Sequence, residues 1–140
     1  MIFLAGFIFA VISLIIRNLG AAAGMRFYAE PDYFPVWSRL MVALAGTPQS
    51  GFLLYSSVFA LVTGIFFVLV YTLVRKSVPG RDYASKGAIY GILVFLVGGF
   101  PATLFLYLTI NLPGMLIWLW ALEGLLIDVI GGLATASLLK

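Results

Sequence analysis

Hydrophobic positions run almost without interruption through four stretches of the chain. The first, 2–24, is apolar up to Ile16 apart from Ser13 and carries one charge, Arg17. The second, 52–74, and the third, 87–110, carry none, and the fourth, 115–139, carries Glu123 and Asp128. Wound as helices, these stretches show apolar residues all round, so none offers the polar face of a helix that lies on a soluble core. A helix needs about 20 apolar residues to cross a hydrocarbon layer about 30 Å thick, and each stretch meets that length. The pattern predicts an all-α protein: an integral membrane four-helix antiparallel bundle, forming one transmembrane domain over 1–140. The first stretch also ends in Ala21-Ala22-Ala23, a small-residue run of the kind a signal peptidase cleaves. No basic residue precedes it, however, and Arg17-Asn18 sits where a cleavage region is neutral, so it is expected to stay as a span.

The connections give the bundle a direction. The linker 75–86 holds Arg75, Lys76, Arg81 and Lys86 against the single acid Asp82, whereas 25–51 holds Arg26 and Arg39 against Glu30 and Asp32. The positive-inside rule puts 75–86 in the cytoplasm, which places both termini there and turns 25–51 and 111–114 outward. Asn111-Leu112-Pro113-Gly114 is a compact turn, because Pro113 presets one backbone angle and Gly114 tolerates positive φ. Spans three and four are therefore expected to form a hairpin. Between spans one and two, Pro31, Pro35 and Pro48 bracket the stretch 36–45, too short to cross and charged only at Arg39. It reads as a short interfacial helix or a loop, with Tyr33, Phe34 and Trp37 at headgroup level. Trp118, Trp120 and Tyr107 fall near the outer boundary and Tyr71, Tyr83 and Tyr90 near the inner one, as interfacial belts do.

Composition closes off whole classes of function. Of the 140 residues, 64% are apolar and 9% charged, against about 25% charged in a soluble domain. The net charge of +3 is too sparse for a nucleic-acid surface. The absence of Cys removes thiolate nucleophiles, disulfides and Cys-ligated metals, and the absence of His removes Ser–His triads, His-ligated haem and HExxH zinc sites. Neither a cofactor nor a metal is expected.

Three charges inside the spans are the candidate site. A charge at the centre of a span costs at least about 2.5–3.5 kcal/mol and usually finds a partner. At a rise of about 1.5 Å per residue, Arg17 lies about 24 Å from the inner end and Glu123 about 18 Å, within reach of a bending arginine stem. An Arg17–Glu123 ion pair joining spans one and four is the structural expectation; the functional alternative is a buried charge on a conduction or proton path. Asp128, about 11 Å from the inner end and about 140° round the helix from Glu123, forms no same-face dicarboxylate with it. In span three, Gly98, Gly99 and Pro101 predict a helix break, since Pro101 lacks an N–H and collides with the carbonyl of Val97. Such breaks line binding sites in transporters, although many are simple kinks. Small residues also recur four apart at Gly20 and Gly24, Gly87 and Gly91, and Gly132 and Ala136, a spacing that lets helices approach closely, by default within one chain.

The run 71–91, with Pro79-Gly80, Lys86-Gly87 and Tyr90-Gly91, together with the Gly98-Gly99-Phe100-Pro101 break and the 111–114 turn, resembles small four-helix bacterial inner-membrane proteins of unassigned function. The resemblance covers 50–140 and implies a membrane location and four spans, but no activity. With almost no mass outside the spans, the leading expectation is a non-catalytic membrane subunit or helix-packing component. Its partners would be membrane lipids and other transmembrane helices, in a homo-oligomer or a larger complex. The alternatives are a small transporter or channel using Arg17, Glu123, Asp128 and the 98–101 break, or an intramembrane enzyme acting on a lipid or quinone.

Overall fold

All four apolar stretches fold as helices long and apolar enough to cross a membrane. A computed structural model describes residues 1–38 and 50–139, and among them there is no strand. Helix α1 is Ile2–Ala23, followed after Gly24 by a single turn, α2, Met25–Tyr28, and a 3-10 helix, Pro31–Val36. Most of the interfacial element expected at 36–45 lies outside the described residues. Helix α3 spans Ser50–Val74. The third long helix is built of α4, Tyr83–Val94, a π-helical turn, Phe95–Gly99, and α5, Phe100–Thr109. Helix α6 spans Gly114–Leu138.

The third helix starts four residues before the apolar stretch that predicts it, and the cause is local. Asp82 accepts a hydrogen bond from the Ser85 backbone N–H at 2.7 Å, and Ser85 Oγ accepts one from the Asp82 N–H at 3.2 Å. This reciprocal capping box satisfies two amides that a helix start leaves without partners. The turn that feeds it needs Gly80, whose φ of 151° few side-chain-bearing residues adopt.

The expected break at Gly98, Gly99 and Pro101 is a widening instead. The Phe100 N–H donates to Phe95 O, five residues back, so the turn carries one extra residue. That residue gives the Pro101 ring room, and Pro101 falls in the first turn of α5, where a missing N–H costs least. Thr103 Oγ1 donates to Gly99 O at 2.8 Å, one turn back on the same helix. The helix therefore continues through the glycines and the proline rather than stopping at them.

Packing follows the order α3, α1, α6, α4. The small residues sit at the crossings. A Cβ on Gly64 would meet the Gly6 carbonyl, one on Gly87 would meet Gly132 O, and one on Gly91 would meet Asp128 O. Gly20 and Gly24 face Glu123 and Leu116 of α6, and Ala136 lies against Gly87, so all three four-apart pairs are used within the chain. The two ends of the row meet at Tyr90 of α4, whose ring lies 4.8 Å from Phe67 and 5.1 Å from Tyr71 of α3. Its hydroxyl donates to Phe67 O at 2.7 Å. Phe9, Val78, Ile127 and Ala136 join these rings in the buried core, which lies at the end of the molecule that carries the 75–82 linker.

Candidate functional site

Two polar side chains of the interior come from α1 and α6, which pack against each other. Ser13 of α1 is only 4% exposed and Glu123 of α6 only 8%, so both are withdrawn from the surface. Arg17, one turn after Ser13, is exposed, and its Nε donates to Ser13 Oγ at 3.3 Å. The Glu123 carboxyl packs on Gly20, where any Cβ would collide with it, and its Oε1 is buried without a hydrogen-bond partner.

The expected Arg17–Glu123 ion pair is therefore not closed. Helical side chains lean toward the N-terminus of their own helix. Arg17 leans back to Ser13, while Glu123 leans to Gly20, on the far side of Arg17 along α1. Their heads are carried apart, although the Arg17 charge still acts on both Glu123 and Asp128. Asp128 is half-buried where α6 crosses α4, with its backbone carbonyl against Gly91. The two acids thus serve different contacts, as their angular separation requires. Thr135, two turns further along α6, is 1% exposed, and its hydroxyl has no partner.

An aromatic cap closes the end of this contact nearest Glu123, and the sequence reading misses it. Trp120 Nε1 donates to Tyr28 Oη at 2.6 Å, and Trp37 lies 5.1 Å from the Tyr28 ring and 6.1 Å, edge-on, from Trp120. Burial pushes the Tyr28 hydroxyl up from its ordinary pKa, against the opposing effect of the hydrogen bond from Trp120, and the Glu123 charge adds to the rise. A signal for the cap exists in the chain. Tyr28 lies five residues past the end of α1 and Trp120 six past the start of α6, at similar depth. Arg26 is held beside it, its Nη2 3.3 Å from Met115 Sδ and its guanidinium 4.6 Å above the Phe27 ring.

Gly98, Gly99 and Pro101 lie on the third helix, where Phe95 packs on both Gly99 and Gly124 of α6. Gly98 borders a groove of about 500 Å³ between α3 and the third helix. Among the described residues no three His, Cys, Asp or Glu side chains come together as a metal site. The arrangement thus consists of one exposed cation, two acids on separate contacts and one orphaned carboxylate oxygen under an aromatic cap. No protein-family model matches the chain, and no curated protein or solved structure matches it either. What the site can do therefore follows from its own residues.

Proposed function

We propose that the chain is an integral membrane protein of the bacterial inner membrane. It crosses four times as an antiparallel bundle with both termini cytoplasmic, and it acts as a non-catalytic subunit or helix-packing component. Several features support insertion. Exposed polar side chains bond back to their own helices, as lipid demands: Asn18 to Leu14 O, Ser57 to Leu53 O, Thr72 to Leu69 O and Thr109 to Phe105 O. The contacts of Gly87 with Gly132 and of Gly91 with Asp128 descend one helix as they ascend the other, which supports opposed directions.

One observation carries the subunit reading: α3 packs along α1 and meets α4 only at Phe67 and Tyr71 near its inner end, and it leaves Leu54, Val58, Phe59, Val62 and Phe66 exposed. Lipid supplies no hydrophobic force between helices, so such a face gains most from shape-matched contact with another helix. Extraction in mild detergent followed by intact-complex mass spectrometry tests it. The expected species is heavier than the 15.2 kDa chain by a second copy or another membrane protein. A lone monomer, both there and after cross-linking in the native membrane, would overturn the proposal.

A transport role is the second reading, favoured by the orphaned Oε1 of Glu123 within the field of Arg17. It requires water to reach that carboxylate, and the groove of about 500 Å³ lies elsewhere.

A further inference from the structure

The groove runs along the outside of the α3–α4 contact, lined by Val70, Val74, Val78, Leu93, Val97 and Gly98. Its lining is almost wholly aliphatic, and the one aromatic hydroxyl there, on Tyr90, is engaged with the Phe67 carbonyl. Between Tyr90 and Gly98 it follows about 12 Å of helix. At the π-helical end Gly98 opens it, since a Cβ there would meet nothing within 4 Å. The other end is the 75–82 linker, which is basic. Arg75 and Lys76 lie between the lining residues Val74 and Ser77, and Arg81 lies two residues beyond the lining residue Pro79. Lys76 and Arg81 are exposed, and Asp82, the one acid in the linker, is held by Ser85.

An aliphatic slot rimmed by cations at one end matches a molecule with an apolar chain and a negatively charged head. A soluble anion leaves the slot empty, and a zwitterionic lipid brings no net charge to the rim. Basic residues at the cytoplasmic edge of a span attract anionic headgroups in this way. We propose that the groove binds one anionic glycerophospholipid, with an acyl chain against Val74, Leu93 and Val97 and the phosphate at Lys76 and Arg81, Arg75 being engaged with the Leu139 carbonyl. The site requires membrane insertion but not the subunit role.

The test is lipid retention by the purified full chain, measured by native mass spectrometry in an equimolar mixture of dioleoyl phosphatidylglycerol and dioleoyl phosphatidylcholine. Their tails are identical, so only the headgroup distinguishes them. The wild-type chain is expected to keep one phosphatidylglycerol, preferred at least tenfold over phosphatidylcholine. Lys76→Gln with Arg81→Gln should lower phosphatidylglycerol retention about tenfold or more. Gly98→Leu fills the slot without touching a charge and should release the lipid while helicity by circular dichroism stays unchanged. Arg26→Gln, at the other end of the bundle, should leave retention as it is. Equal retention of the two lipids, undiminished retention in Gly98→Leu, or an equal loss in Arg26→Gln would each overturn the site. If the double variant fails to fold, Gly98→Leu decides alone. A failure of membrane insertion itself would show earlier, as chain recovered in the aqueous fraction.

Discussion

At the scale of single residues, what matters is the difference between a neighbour that can move and one that cannot. A methyl at Gly132 would meet the backbone carbonyl of Gly87, and a methyl at Gly20 would meet the end of the Glu123 side chain. A backbone carbonyl cannot yield without separating α4 from α6, whereas a carboxyl group can swing aside. Gly132→Ala should therefore cost about 1–3 kcal/mol, in the range of an overpacked core, while Gly20→Ala should cost well under that. Thermal unfolding in detergent, with both variants beside the wild type, checks the order; an equal or reversed order would contradict the packing described. Arg17, Glu123 and Asp128 stand out in the sequence because each is a charge among apolar residues. Their partners are not legible there, because pairing depends on the direction in which each side chain leans. Depth along the helices brought Arg17 and Glu123 to within reach, yet the tilt sends one to Ser13 and the other to Gly20.

At the scale of elements, the start of α4 carries its own titration. The Ser85 backbone N–H, and then the Ser85 side chain, hold the exposed Asp82 carboxyl below the usual carboxylate range. A group whose pKa is lowered on folding stabilises above its ordinary value, about 3.9 for Asp, and that stabilisation fades as pH falls through the folded value. The Ser85 amide resonance should accordingly titrate below the usual carboxylate range, and Asp82→Asn should abolish the titration. A midpoint at or above the ordinary value would contradict the cap. This helix start is written in Asp82 and Ser85, three apart, and the uncharged apolar stretch begins only four residues into the helix. The third helix shows the reverse case. Gly98, Gly99 and Pro101 marked the right place, yet a proline in a helix admits a stop, a kink or an added residue, and only the bond from Phe100 to Phe95 distinguishes them.

At the scale of the whole molecule, length and apolar content alone identified the four long helices, since no other structure uses such stretches. The order α3, α1, α6, α4 was hidden for the same reason, because helices apolar on every side carry no mark of which side faces a neighbour. The glycines supply that mark only in retrospect. Gly87 and Gly91 meet Gly132 and Asp128, while Gly98, equally small, faces open space at the groove. The central claim is that the chain crosses a membrane four times, with the basic linker 75–86 and the turn 111–114 on opposite sides. The chain contains no Cys, so a single cysteine placed by Ser77→Cys or by Asn111→Cys reports its own compartment. With a membrane-impermeant maleimide applied to sealed right-side-out vesicles, Asn111→Cys should label and Ser77→Cys should label only after the vesicles are opened. Labelling of both positions before opening, or of neither, would contradict the account.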